Sequence, residues 1–247
     1  MVRPGSLLVA FLAALIAVGT GQASAQSSPP IVVELFTSQA CNLCPPADEY
    51  LGELAKRSDV IALSFHVNIW DYLGWKDTFA TELTTERQKT YATFLRERSL
   101  YTPQMVIGGV THKVGSRRGD VNQVIDGLRQ RAGPYLDVRV RRVEGGKIAV
   151  RIPAGELKQR DVVVWLVRYD SSDEVEIRRG ENRGRTIVYR NIVSDYRELA
   201  MWYGDEIELE LKVSELREGG HDGSVILVQE GGSGRIIGAA KVDLDAI

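Results

Sequence analysis

Residues 41–44 read Cys41-Asn42-Leu43-Cys44, and the segments flanking them decide the fold of the first half of the chain. Upstream, residues 31–36 (IVVELF) are a short run of β-branched and aromatic types, the signature of a buried strand. Downstream, Ala47, Tyr50, Leu51, Leu54 and Ala55 fall at i, i+3, i+4, i+7 and i+8, the apolar stripe of an amphipathic helix. The cysteines therefore stand where a strand ends and a helix begins. First-turn amides lack internal partners and the helix dipole is positive there, so a thiolate at Cys41 gains stabilisation. Pro45 and Pro46 suit a first turn, which does not use their missing N–H groups. Asp48 and Glu49 oppose the thiolate, and no Lys or Arg lies between or just after the cysteines, so the expected thiolate preference is modest. The chemistry expected is reversible dithiol–disulfide exchange, in which Cys41 attacks and Cys44 resolves the mixed disulfide.

Composition supports this reading. The 247 residues carry a net charge of −2, which argues against nucleic acid as a partner, and 44% are hydrophobic, enough for substantial cores. Arg3, the apolar stretch 7–18 and Ala23-Ser24-Ala25 read as a signal peptide over residues 1–25, too short for the roughly 20 apolar residues of a membrane span. The mature chain is expected to start near Gln26, in the periplasm or outside the cell, with no membrane contact after cleavage. Only two cysteines are present, in a compartment that permits disulfides. A structural staple this short restricts the unfolded chain very little. A zinc site would have only His66, His112 and His221 to add.

Residues 60–67 (VIALSFHV) read as a second strand, parallel to the first through a right-handed crossover. An aromatic-rich stretch at 70–77 follows, then a helix with a capping box at Thr85 and Gln88 and a stripe of Tyr91, Phe94 and Leu95. Residues 104–107 are a third strand, Gly108-Gly109 a hairpin turn and 110–114 the return strand. Asp120 caps a last helix with a stripe of Val121, Val124, Ile125 and Leu128. The order is β-α-β-α-β-β-α.

Several motifs in this order carry a resemblance: Glu34-Leu35-Phe36-Thr37-Ser38-Gln39 leading to Cys41, then Cys44-Pro45-Pro46-Ala47-Asp48, Phe65-His66-Val67, the stretch 70–77 (WDYLGWKD), Tyr101-Thr102-Pro103-Gln104-Met105 and the stretch 180–186 (GENRGRT). The chain resembles an exported bacterial family described only as a domain of unknown function, whose first part is thioredoxin-like. The resemblance implies a thioredoxin-like domain over 26–132, with a helical insertion at about 68–99, and a cis peptide at Thr102-Pro103 beside the cysteines. In that family pattern an Asp usually follows His-Val, where this chain has Asn68.

Other residues admit two readings each. Glu34, inside an apolar strand, is either a proton acceptor for Cys44 or a buried side chain bonded to a neighbour. His66 is either a structural histidine or a ligand that joins the cysteines on a soft metal such as Cu(I). Trp70, Tyr72, Trp75 and Tyr101 are candidates for a substrate-binding lip, the alternative for the first three being core.

From Gly133-Pro134 onward the period changes from 3.6 to 2. Leu136, Val138, Val140, Ile148 and Val150 alternate with polar residues, 162–167 is continuously apolar, and Ile207, Leu209, Leu211 and Val213 alternate with charges. With strands at 225–228 and 236–242 about the turn 231–234, this predicts an all-β sandwich-like domain over 133–247. The loop 178–185 (RRGENRGR) is either an anion-holding cluster of guanidinium groups and glycine amides or a charged hairpin with internal pairs.

The reading that follows is an exported two-domain thiol–disulfide oxidoreductase. Cys41, Cys44, Thr102, Pro103 and Glu34 are its candidate catalytic residues, and the disulfide Cys41–Cys44 is its only cofactor. Its partners are protein thiols or disulfides and a redox partner that resets it. A binding protein that uses the cysteines and His66 for a metal, or that holds a peptide without turnover, is the alternative; an envelope module with an inert disulfide is a third.

Overall fold

The computed structural model describes residues 29–131, 135–158, 161–231 and 234–242. The expected leader at 1–25, the Gly133-Pro134 break with the boundary beside it, and Gly232 and Ser233 lie outside the described residues. The first half runs β1 (Ile31–Thr37), α1 (Pro45–Leu54), β2 (Val60–His66), α2 (Glu82–Phe94), β3 (Gln104–Ile107), β4 (Thr111–Val114) and α3 (Arg118–Gln130), the order that the periodicity predicts. Two helix starts differ. The Thr81 side chain accepts from the Thr84 amide and Thr84 answers in kind, so the capping box is Thr81/Thr84 and α2 begins earlier than a box at Thr85 and Gln88 requires. Gln88 points inward instead, donating to Tyr101 O at 2.9 Å and Gln104 Oε1 at 3.0 Å. Asp120 lies within the first turn of α3 rather than capping it.

β1 pairs parallel with β2 and antiparallel with β3, which places Val33 and Leu35 against α1 and α3, and Val32 and Phe36 in the opposite layer. The second half supplies β5 (Arg139–Val143), β6 (Lys147–Ile152), β7 (Val162–Glu176), β8 (Thr186–Trp202), β9 (Ile207–Lys212), the short helix α4 (Val213–Leu216), β10 (Gly223–Glu230) and β11 (Ile236–Val242). β7 runs well past the apolar stretch that announces it, and β8 is a strand that the alternation does not reveal. The sheet order is β11-β10-β7-β8-β2-β1-β3-β4, so the second half extends the sheet of the first. The junction is parallel, Ser64 opposite Ile192, and Asn191 reinforces it: held at a positive φ of 49°, it donates from its side-chain amide to Ala62 O at 2.8 Å. A separate three-stranded sheet, β5-β6-β9, packs on β7, β10 and β11 through Ile148, Val150, Leu166, Trp202 and Ile226. The molecule is a mixed α/β fold on one large, mostly β sheet. Its sandwich-like layer pairing lies in the second half, and one of the two layers belongs to that shared sheet. Among the described residues no helix is long and apolar enough to cross a membrane.

The large sheet curls until its ends approach. The Ile236 amide donates to Gly108 O at 3.0 Å, joining the β3–β4 turn to β11. Gly109 permits this contact, because a Cβ there would stand 2.1 Å from Gly234 O and its φ is +70°. Inside the curl lie Phe36, Phe65, Tyr91, Val167 and Leu227, and among them is a charge. Glu34 shares the face of Val32 and Phe36, fully buried, and accepts from Arg87 Nε at 2.7 Å and from the Tyr91 hydroxyl. Arg87 also donates to Gln229 Oε1 at 3.2 Å, and Gln229 Nε2 donates to Tyr91 Oη at 2.7 Å and Gly234 O at 2.9 Å. Burial works against the Arg87 charge, yet Glu34 beside it holds the guanidinium above its ordinary pKa. The guanidinium also lies over the Phe65, Tyr91 and Tyr196 rings at 5.4, 5.1 and 5.2 Å.

A buried ion pair is costly to break and much less costly to remove whole. Arg87→Met strands the Glu34 carboxylate and is expected to destabilise the protein by about 3–5 kcal/mol in urea unfolding. Adding Glu34→Gln is expected to recover more than half of that loss. Equal stability of the single and double variants would show that the pair is not what sets the cost.

Candidate functional site

The loop between β1 and α1 turns tightly, with the Cys41 amide donating to Ser38 O at 3.1 Å and the Cys44 amide to Cys41 O at 3.2 Å. Cys44 caps α1, and prolines open the helix, as a first turn allows. Both thiols are free. Cys41 is 7% exposed and Cys44 is sealed behind it, so the pair has an outer and an inner sulfur. Thr102-Pro103 is a cis peptide, and Thr102 O lies 3.8 Å from Cys41 Sγ. The Trp70 indole N–H donates to Thr102 Oγ1 at 2.8 Å, which occupies a lone pair and leaves the hydroxyl proton available to the sulfur.

These contacts separate the two thiols electrostatically. A hydrogen bond from Cys44 is the largest support of a Cys41 thiolate. Against opposition from burial, and with help from Thr102 and the Leu43 and Cys44 amides, it lowers Cys41 from 9.0 to about 7. Burial raises Cys44 well above the usual thiol range, and Cys41 and Asp48 push the same way.

Beneath the cysteines lies a buried polar cluster. Asp48 Oδ1 accepts from Thr37 Oγ1 at 2.7 Å, while Oδ2 has no partner. Burial lifts Asp48 to about 7, against the pull of His66 and Thr37. His66 Nδ1 lies 2.8 Å from Asp77 Oδ2. The same carboxylate accepts from the amides of Gln39, Phe79 and Ala80 at 2.7, 2.9 and 3.1 Å. Burial penalises the Asp77 charge, but His66 and the amides outweigh it and hold the pKa below the ordinary value. A charged acceptor calls for an N–H at His66 Nδ1, and Nε2 is buried with no hydrogen-bond partner. The ring is enclosed by Tyr189 and Phe79, with centroids 4.6 and 5.1 Å away. The Tyr189 hydroxyl is likewise buried and unpartnered, and burial, followed by the charges of Asp48, Asp77 and the two cysteines, raises its pKa.

The second half closes the site. Asn182, 1% exposed, donates from Nδ2 to both Gln39 O and Cys41 O at 2.9 Å. The β7–β8 hairpin thus grips the cysteine loop by its backbone.

Of the residues singled out from sequence, Cys41, Cys44, Thr102, Pro103, Trp70 and His66 converge. Glu34 does not: it faces the layer opposite α1, where Arg87 and Tyr91 occupy its oxygens, so it is not placed to take a proton from Cys44. Trp75 donates to Gln39 Oε1 at 2.8 Å and, like Trp70, is a half-buried wall of the loop. Tyr72 is 74% exposed. Tyr101 turns to β4, its hydroxyl 2.7 Å from His112 Nδ1. No group of three or more His, Cys, Asp or Glu side chains among the described residues is arranged to hold a metal, and His66 is engaged by Asp77 rather than by the cysteines. Asn68 bonds Thr85 and Glu82, and the carboxylate at His66 comes from Asp77. Asp77, Tyr189 and Asn182 escape sequence reasoning, because each meets the cysteine loop only through the tertiary fold. The available signals were the quoted stretches 70–77 and 180–186, which contain Asp77 and Asn182.

The profile of a protein of unknown function, DUF1223, matches residues 32–229. The chain belongs to the DUF1223 family. A crystal structure of an Agrobacterium tumefaciens protein, a structural-genomics target, superposes on this DUF1223 chain with a TM-score of 0.77 at 30% identity, covering 89% of this chain and 96% of the other. No curated protein matches.

Two outcomes follow for this DUF1223 protein. The rate of Cys41 alkylation by iodoacetamide is expected to titrate with a midpoint near about 7. Cys44→Ala, which removes the main support, should move that midpoint up toward ordinary thiols at about 8.5; an unmoved midpoint would refute the assignment. Asp48 has a folded pKa of about 7 against an ordinary 3.8, so the folded state keeps a proton that the unfolded chain releases between those values. Stability from this group is present below the lower value and lost as pH rises to the upper. The stability advantage of Asp48→Asn over the parent is therefore expected to grow by up to about 4 kcal/mol between about pH 4 and pH 7 and then stay level. Urea midpoints that run parallel across this range would show that Asp48 does not titrate in it.

Proposed function

We propose that this protein is an exported thiol–disulfide oxidoreductase whose first half works as a thioredoxin-like domain. The observation that carries the reading is the asymmetry of the pair: an outer Cys41 lowered to about 7 beside Thr102, and a sealed Cys44 held protonated. In the reducing direction the Cys41 thiolate attacks a substrate disulfide, forming a mixed disulfide and releasing one substrate thiolate. Cys44 then gives up its proton and attacks the Cys41 sulfur. The second substrate thiolate leaves, and the protein holds the Cys41–Cys44 disulfide; two electrons have passed to the substrate. The proton acceptor in this step is Asp48, which presses on Cys44 electrostatically, has an unpartnered oxygen and titrates near neutrality. Glu34 has no part in it. A separate dithiol or disulfide partner resets the pair, and in the opposite direction each step reverses. The leader-like stretch at 1–25 supports a site of exchange outside the cytoplasm, in the periplasm or beyond.

The test is the reduction potential of the pair, from free thiols trapped across a glutathione series. A value between about −120 and −270 mV is expected, the span of exchange catalysts. A value below about −300 mV, where structural disulfides lie, would make the pair a staple.

A further inference from the structure

The loop 178–185 at the tip of the β7–β8 hairpin carries four exposed arginines, Arg178, Arg179, Arg183 and Arg185, against a single acid, Glu181. Arg178 leans on Glu176 at 3.3 Å; the other three side chains make no ion pair among the described residues. Exposed arginines are common, and what distinguishes these is that the loop is rigid and its position is fixed. Backbone bonds Gly184 N to Ile177 O at 2.8 Å and Ile177 N to Arg185 O at 2.9 Å close the turn. A small core of Ile177, Ile187, Tyr189 and Ile192, with Trp75 and Phe79 packed on it, holds the hairpin to the segment beside the cysteine loop. Asn182, in the middle of the arginine run, is bonded to the Cys41 carbonyl itself. The cationic tip is therefore anchored within one side chain of the outer sulfur. On the cysteine loop Leu43 is 67% exposed, and Tyr72, beside Trp70, is 74% exposed.

We propose that the arginine tip is a docking surface that selects client polypeptides with acidic residues next to the cysteine that Cys41 attacks. This rests on the exchange activity above and names its substrate class. In this arrangement apolar residues of the client lie against Leu43 and Tyr72, and its carboxylates face the guanidinium groups, which take them in bidentate fashion. A free phosphate or a lipid headgroup would use the charge but leave the adjacent thiol and apolar side chains unexplained. Opposite charge at a rim acts mainly on the rate of encounter and is screened by salt.

The test uses the reduced full-length mature protein and three disulfide-bridged peptides that differ only in a flanking triplet of Glu, Lys or Gln. At about 0.02 M salt the Glu peptide is expected to oxidise the pair about tenfold faster than the Lys peptide, and at about 0.5 M salt the difference should largely vanish. Arg183→Glu combined with Arg185→Glu should reverse the preference between the Glu and Lys peptides. Equal rates with the Glu and Lys peptides at low salt, or a preference that survives the double substitution, would overturn the proposal. A separate arm needs no redox step: fluorescence anisotropy of a cysteine-free Glu peptide, expected to bind the parent and not the double variant. If no peptide exchanges but this binding is seen and is lost in the variant, the exchange reading fails and the docking surface stands. If anionic phosphatidylglycerol vesicles sediment the protein while the Glu peptide does not bind, the surface belongs to a membrane and the proposal falls.

Discussion

A carboxylate inside a hydrophobic enclosure must be neutralised, and the Glu34 side chain in the middle of β1 imposes that demand on the whole molecule. Its partner Arg87 must come from α2, which fixes that helix inside the curl of the sheet. The spare guanidinium nitrogen must also be bonded, and Gln229 on β10 supplies the acceptor from the far side of the curl. Three elements that are remote in sequence are thereby drawn onto one charge. The Ile236–Gly108 bond closes the same curl at its end. The geometry at the cysteines depends on this closure, since β8 and the hairpin it forms with β7 hang from the strand order that the curl sets.

The site follows a similar logic, with Asp77 at its centre. That one carboxylate receives His66 and the amides of Gln39, Phe79 and Ala80, so it shapes the aromatic-rich segment and holds one end of the cysteine loop at once. Asn182 holds the carbonyl of the same Gln39 and that of Cys41. Beside these two anchors, the difference in exposure between Cys41 and Cys44 becomes a difference in acidity, which is what a nucleophile and a resolving thiol need. Asp48 is the opposite kind of acid from Asp77. With a single hydrogen-bond partner and no exposure, it is held near its own titration point.

Much of the first half was legible because its information is local. The run at 31–36, the stripe from Ala47 to Ala55 and the run at 60–67 each reveal an element through spacing alone, and the Cys-x-x-Cys spacing marks the candidate site. What could not be read depends on distant partners. Glu34 was conspicuous in an apolar run, but Arg87 stands 53 residues away, and only the fold shows that the pair excludes a role in proton transfer. Asp48 read only as a first-turn acid that opposes the thiolate, and its burial against Thr37 was not legible. β8 was invisible because its neighbours change along its length. One end belongs to the projecting hairpin with β7 and the other to the sandwich-like layers, so the burial pattern never settles into alternation. Asn182 lies 141 residues from Cys41, beyond any periodicity.

The order in which the parts of the site are made has a consequence of its own. Asn182, Tyr189 and Gln229 all come late in the chain, and the cysteines come early. A polypeptide delivered N-terminus first presents both sulfurs to its surroundings before the segments that shelter them have emerged. During that interval the hold of Asn182 on the cysteine loop is missing. The groups that set the two sulfurs apart, Thr102, Asp48 and the sulfurs themselves, are already present in the first half, whereas the clasp over the loop waits for the hairpin between β7 and β8. Protection of the loop is tied to time as well as place.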